Sequence, residues 1–149
     1  MPKYHFSYTN PLSHFLDIRL ELEGLDKNKA ILNLPVWRPG RYEIQNFPKR
    51  IRGFKVTDSK GNTLPFTKTS KGTWEVALQG NSELVAQYQY YAGLMDAGNS
   101  WLDDEQLYIN PVNCCMYEAS LMEQKIELHF NLPMQYRISS GLKPNGHHK

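Results

Sequence analysis

The side chains best suited to chemistry lie together in the sequence SWLDDEQ. Trp101 is followed, after Leu102, by three consecutive carboxylates, Asp103, Asp104 and Glu105. A fixed carboxylate binds a cation or a protonated amine through charge-assisted hydrogen bonds, and an aromatic ring is a common wall of such a site. The pattern therefore predicts either the rim of a site for a cation or a substrate amine, or a solvated acidic loop. The sequence leaves both interpretations open.

A basic stretch precedes the acidic one. Between residues 38 and 60 the acids are Glu43 and Asp58, and they are outnumbered by Arg38, Arg41, Lys49, Arg50, Arg52, Lys55 and Lys60. The net charge of the whole chain is only +2, which argues against a nucleic acid or an anionic membrane as partner. No apolar run approaches the roughly 18 residues that cross a bilayer. We expect solvated loops, or arginines that meet the acidic loop or another domain.

No group of residues has the spacing of a metal or catalytic motif. The five histidines include no H-E-x-x-H pair, and the sequence lacks the G-x-S-x-G motif and any glycine-rich phosphate loop. We therefore expect neither a catalytic residue nor a metal ligand set within this chain. His147 and His148 fall in a tail typical of a linker or a vector remnant.

The two cysteines, Cys114 and Cys115, are neighbours in the chain. Adjacent cysteines rarely form an unstrained disulfide, because the preferred Cα separation is about 4.4–6.8 Å. Two reduced thiols are expected, which favours a cytoplasmic location. A periplasmic or secreted location stays possible if a signal peptide was removed ahead of Met1.

The elements that position these side chains are predicted to be strands. FLDIRLELE alternates apolar and charged residues with a period of two, and KYHFSYT, GTWEVAL and ELVAQYQYYA do the same. About nine or ten strands with turns every 8–12 residues are typical of an all-β antiparallel sandwich with little helix. We expect FLDIRLELE to pair with AILNLPVW, QYRISS to form the last strand, and NCCMYEASLM to contain a turn or two of helix.

The sequence LPVWRPGRYEIQNF is predicted to be a structural corner. Pro35 ends the preceding strand, since proline cannot donate to a ladder, and Pro39-Gly40 suits a reverse turn. Trp37 is expected to plug the core, although an exposed tryptophan in a row with Trp101 and Tyr90 or Tyr91 would form a sugar-stacking face. The motif comprises Leu34, Pro35, Val36, Trp37, Pro39, Gly40 and Tyr42.

Two stretches together resemble the glycyl aminopeptidase family, zinc metallopeptidases of the thermolysin-like group that usually carry a PDZ domain. LNLPVWRPGRYEIQNFPKRIRGFKV is similar to the family segment LPVW-x-PG-x-Y, and YQYYAGLMDAGNSWLDDEQLYINPVNCCMY to its Y-x-YA … LDDE … N segment. KIELHFNLPMQYRISSGL is similar to the last strands of the family's N-terminal domain. One departure is Pro111, where members often have a small residue after the position of Asn110.

The resemblance implies an N-terminal β-sandwich, residues 1–142, with residues 143–149 as a linker toward a catalytic domain. That domain would hold the zinc, its ligands and the peptide substrate, and the sandwich would be an inert accessory domain that shapes the cleft. Trp101, Asp103, Asp104 and Glu105 would lie at the rim of that cleft, where an aminopeptidase must recognise a protonated amine. The alternative is a stand-alone β-sandwich module that binds carbohydrate or protein.

A first prediction follows from the missing ligand set. We expect the purified chain, with any tag removed, to hydrolyse no peptide and to retain less than stoichiometric zinc after dialysis. Metal analysis by mass spectrometry checks this, and one tightly bound zinc per chain would contradict it.

Overall fold

The structure, a computed structural model, describes residues 1–26, 28–40 and 43–145 and forms a β-sandwich. Its strands are β1 (Lys3–Ser7), β2 (Phe15–Glu23), β3 (Lys29–Asn33), β4 (Ile51–Thr57), β5 (Phe66–Ser70), β6 (Thr73–Ala77), β7 (Glu83–Tyr91), β8 (Trp101–Leu102), β9 (Leu107–Tyr108), β10 (Tyr117–Glu118) and β11 (Glu127–Phe130). The α-helix is α1 (Pro111–Cys114), and short 3₁₀ turns cover Pro11–Ser13, Phe47–Arg50 and Ala119–Leu121.

Two sheets form the layers of the sandwich. The larger sheet has the order β11-β1-β2-β7-β4 and the smaller one β10-β3-β6-β5, while β8 and β9 pair as a separate ribbon. The pairs are antiparallel except β1 with β11, which is parallel. The predicted all-β sandwich with little helix is confirmed. The described part of the chain has more strands than predicted because β8, β9 and β10 are only two residues long.

The core lies between the sheets and follows the predicted alternation. Leu16, Leu20 and Tyr90 are fully buried, and the pairing of β2 with β7 sets Leu16 opposite Tyr90 and Leu20 opposite Ala86. Burying one such leucine stabilises the fold by about 1.5–3 kcal/mol. The charged residues between them face outward, as the period of two requires.

The expected pairing of β2 with β3 is wrong. β2 pairs with β1 and β7 in the larger sheet, and β3 pairs with β6 and β10 in the smaller one. The connection between them crosses the sandwich, where Leu25 is buried and its amide donates to the Ser82 carbonyl. An alternating pattern shows which face of a strand is buried but not which sheet the strand joins.

The end of the chain also differs from expectation. QYRISS forms no strand, since the last strand of the described residues ends at Phe130. Ile126, which alternates with Leu128 and Phe130 in the sequence, precedes β11 and is 52% exposed. Residues 131–145 run along the surface with few backbone partners. The helical turns predicted in NCCMYEASLM are present as α1 and the 3₁₀ turn.

A second prediction uses two tryptophans with opposite exposure. Trp74 in β6 is 3% exposed and lies 5.5 Å from the Phe54 ring, whereas Trp37 is 50% exposed. We expect Trp74→Ala to lower the free energy of unfolding by about 3–5 kcal/mol, and Trp37→Ala to cost about 1 kcal/mol or less. Urea denaturation checks both, and equal losses would contradict this description of the core.

Candidate functional site

The predicted acidic site is a tight hairpin, residues 101–108, here called the acidic hairpin. Trp101 pairs with Tyr108 and Leu102 with Leu107. The Asp103 carboxylate accepts hydrogen bonds from the Trp101 indole at 2.7 Å and from the Glu105 and Gln106 amides at 2.9 and 2.8 Å. Asp103 therefore closes the turn from inside.

Because of those hydrogen bonds, the carboxylate of Asp103 has a different role from the carboxylates of Asp104 and Glu105. The Trp101 indole and the Gln106 and Glu105 amides lower the pKa of the Asp103 carboxyl below its ordinary value, because all of them stabilise the ionised form. Asp104 and Glu105 instead stand exposed at the tip. The structure thus brings the four predicted residues together, but only two of the carboxylates face outward without a role in the turn.

An aromatic cluster supports the base of the acidic hairpin. His14 donates a hydrogen bond from Nδ1 to the Leu102 carbonyl, and its ring lies 5.4 Å from Trp101 and 6.1 Å from Tyr91. Tyr90 is fully buried, so it cannot join Trp101 in an exposed row. The sugar-stacking arrangement that includes Tyr90 is therefore not formed.

The surface segment 131–145 passes beside the acidic hairpin. Tyr136 receives a hydrogen bond from the Tyr8 hydroxyl at 3.3 Å. Burial, then Tyr8, then the charges of Asp103 and Asp104 raise the pKa of Tyr136 to about 12. Since charges act over short distances at a protein surface, Tyr136 lies within electrostatic reach of Asp103 and Asp104.

The predicted corner, here called the strap (residues 34–40 and 43–47), is only partly a core element. Leu34 is buried, and its amide donates to the Gly72 carbonyl at 2.8 Å. The prediction that Trp37 plugs the core is wrong, because the chain leaves the sheet at Pro35 and the indole is half exposed. Ile44 is 83% exposed on the same strap. Tyr42 lies outside the described residues.

Two arginines of the basic stretch attach to the long loop 93–100, which precedes the acidic hairpin. The Arg38 guanidinium donates to the Ala97 carbonyl and lies against Gly98, where any Cβ would overlap it. Arg50 donates to the Asn99 side chain at 3.2 Å and to the Tyr90 hydroxyl at 3.1 Å. Both arginines thus contact the loop that leads into the acidic hairpin.

The helical turn α1 holds the same loop from its other side. The side-chain amides of Asn110 and Asn113 each donate to the Gly98 carbonyl at 2.8 Å. Pro111 begins α1, where its fixed φ suits the first helical position. We call Arg38, Arg50, Gly98, Asn110 and Asn113 the polar hub. Sequence reasoning missed it, because its members are scattered in loops and share no period.

Metal ligands, reactive thiols and membrane-spanning helices are the other features that would bear on the chemistry of the chain. In residues 1–26, 28–40 and 43–145 no three His, Cys, Asp or Glu side chains are arranged to hold a metal ion. The Cys114 and Cys115 thiols are free, and Cys114 is buried. Within the same ranges no helix is long and apolar enough to cross a bilayer. The exposed groups of the acidic hairpin are the Asp104 and Glu105 carboxylates and the Tyr108 ring.

Comparison with known families decides the relationship. The family model described as "Peptidase M61 N-terminal domain" matches residues 3–149. The chain belongs to the peptidase M61 N-terminal domain family. This agrees with the peptidase N-terminal domain that the strap and the acidic hairpin motifs imply.

A solved structure supports the same assignment. The M61 N-terminal domain described here superposes on an aminopeptidase N family protein from Idiomarina loihiensis with a TM-score of 0.81 and 28% sequence identity. The match covers 89% of this chain and 22% of that chain, so this chain spans about a fifth of the length of that relative. A search of curated proteins gave no match.

A third prediction tests the polar hub of this M61 N-terminal domain. Gly98 and Gly61 both have positive φ, +77° and +89°, but only at Gly98 would a Cβ displace a side chain, that of Arg38. Gly61→Ala should cost about 1 kcal/mol of stability from backbone strain alone, and Gly98→Ala about 2–4 kcal/mol. Urea denaturation measures both, and equal costs would mean that Arg38 contributes nothing to holding the loop.

Proposed function

We propose that this chain is the non-catalytic N-terminal accessory domain of a zinc metallo-aminopeptidase of the glycyl aminopeptidase type, in which a PDZ domain also occurs. It packs on a downstream catalytic domain, which supplies the zinc and its ligands, and it shapes the cleft that admits the peptide. The observation that carries this proposal is the match to the peptidase M61 N-terminal domain over residues 3–149. The aminopeptidase N family relative, of which the matched part is 22%, supports it.

The exposed apolar residues of the strap and the loop 93–100 favour one face for that packing. Trp37 and Ile44 on the strap, and Leu94 and Met95 on the loop, are 50%, 83%, 43% and 85% exposed. The contact of Arg38 with the loop holds these two segments together. Tryptophan, methionine and arginine are enriched at the centre of protein interfaces, and exposed apolar clusters mark contact sites. We assign this face, here called the apolar platform, to the catalytic domain.

The acidic hairpin has a second role in the proposal. Asp104 and Glu105 are exposed at the tip of the hairpin, and Asp104 lies within electrostatic reach of Tyr136 in the segment after β11. There they would bind the protonated α-amine of the peptide by charge-assisted hydrogen bonds. Trp101 and Asp103 would hold the hairpin in shape, since each is already engaged by the other.

The reading frame beyond Lys149 is the direct test. An H-E-x-x-H helix with a downstream glutamate within the next couple of hundred codons is expected, since this pattern provides two histidine ligands and the general base of a zinc peptidase. A stop codon or an unrelated domain would leave the stand-alone binding module as the better explanation.

A fourth prediction concerns kinetics of the full-length enzyme. Asp104→Asn or Glu105→Gln should lower kcat/KM for free-amine peptides by about tenfold or more, because one lost charge-assisted hydrogen bond is worth about 1.5–3 kcal/mol. Glu123→Gln, an exposed carboxylate elsewhere, is the matched control. Asp103→Asn should instead loosen the hairpin, seen as faster proteolysis there. If neither Asp104→Asn nor Glu105→Gln changes kcat/KM, the hairpin is a solvated surface.

A further inference from the structure

The outermost strand of the larger sheet has an unusual attachment. β11 has only four residues and pairs with β1 alone, in parallel, with His5 opposite His129 and Phe6 opposite Phe130. Backbone bonds at its two ends, from the Glu127 amide to the Pro2 carbonyl and from the Asn131 amide to the Phe6 carbonyl, are 3.0 and 2.9 Å. A short parallel edge strand is weakly held, so its side-chain contacts matter more than those of a central strand.

Two imidazoles face each other across this junction. The rings of His5 and His129 stack with centroids 4.6 Å apart and planes inclined by only 12°. His5 Nε2 lies 3.1 Å from Glu21 Oε1, at ion-pair distance but without hydrogen-bond alignment. His129 Nε2 lies 3.3 Å from Glu127 Oε2. The pair is therefore a clasp between β1 and β11 that includes two titratable groups.

The charges around the pair come from three strands. Arg19 and Glu21 of β2 and Glu127 of β11 contact the pair or each other, and an ion pair between Lys3 of β1 and Glu23 of β2 lies on the neighbouring positions. Glu21 is shared between His5 and Arg19, and Glu127 also accepts from the Asn145 side chain at 3.5 Å. Neither carboxylate is thus reserved for one imidazolium.

This arrangement suits neutral imidazoles better than charged ones. A proton on both rings would place two positive charges within 4.6 Å of each other, with Arg19 on the adjacent strand. Burial lowers the pKa of His5; Glu21 opposes this, while His129 and Arg19 act in the same direction as burial. A lowered pKa in the docked state means that protonation favours the undocked state.

We propose that the stacked His5–His129 pair is a pH-sensitive clasp, which holds β11 on β1 when the imidazoles are neutral and releases it when they are protonated. Because residues 131–145 follow β11 directly, the release also frees the segment that passes the acidic hairpin. The sign is fixed by the direction of the shift: docking is at full strength above the ordinary histidine pKa of 6.5 and weakens as the pH falls through it.

Hydrogen exchange of the 149-residue chain, followed by mass spectrometry at about pH 7.5 and about pH 5.5 and corrected for intrinsic rates, tests the clasp. The protection factors of the amides of residues 127–131 should fall by up to about tenfold for each unit by which the pH is lowered. Tenfold is the limit when undocking is coupled to the uptake of one proton. Amides of β2 and β7 should keep theirs. A uniform loss in all strands, or no loss in β11, overturns the proposal.

Three variants distinguish release of β11 by the histidine pair from an overall destabilisation of the fold at low pH. His5→Gln should remove most of the selective loss, and His129→Phe, which keeps an aromatic partner for His5, should reduce it. His14→Gln, which removes a histidine of the hairpin base, should behave as wild type. A proton NMR titration gives an independent readout, since the pKa of His5 should lie below 6.5 and should rise in His129→Phe. If His129→Phe leaves that pKa unchanged, or if His5→Gln keeps the full pH-dependent loss, the clasp is refuted.

Discussion

The pairing of β2 with β7 is the constraint on which the remaining structure depends. The two strands match over nine residues each, and their inward faces supply the middle of the core. The inward tyrosines of β7 also reach beyond the core: the Tyr88 hydroxyl donates to the Cys114 carbonyl at 2.6 Å and accepts from the Met116 amide at 3.1 Å, while the Tyr90 hydroxyl accepts from Arg50. One strand thus fixes both the sheet and the segments around Arg50 and Cys114, because each ring is buried and its polar end needs a partner.

Features of the fold that depend on neighbouring residues in the sequence could be predicted, whereas features that depend on contacts between distant residues could not. The alternation in β2 and β7 reports burial directly, so their inward residues were predicted correctly. The assignment of β3 to the opposite sheet was not predictable, because it is decided by a chain crossing near Leu25. Trp37 shows a different limit: its size favours burial, but its exposure follows from the direction in which the chain leaves Pro35.

The candidate site likewise has a part that the sequence predicted and a part that depends on tertiary contacts. The acidic hairpin was found from its composition, and the local sequence even indicates its turn, since an aspartate followed by two polar residues commonly closes an Asx turn. What composition cannot show is that Asp103 is used by the hairpin itself, whereas Asp104 and Glu105 are not. The polar hub went unrecognised because Arg38 and Gly98 are sixty positions apart in the sequence and meet only through tertiary structure.

The contact of Arg38 with Gly98 has an evolutionary consequence. The guanidinium occupies the volume that a side chain at position 98 would need, so a substitution at either position alters the packing of the other. A lineage that lost the arginine would leave a gap over the loop, and one that gained a side chain at 98 would have to move the strap. Any variant that keeps Arg38 in this place therefore needs glycine at position 98 for two separate reasons, the space that the guanidinium fills and the positive φ of the backbone.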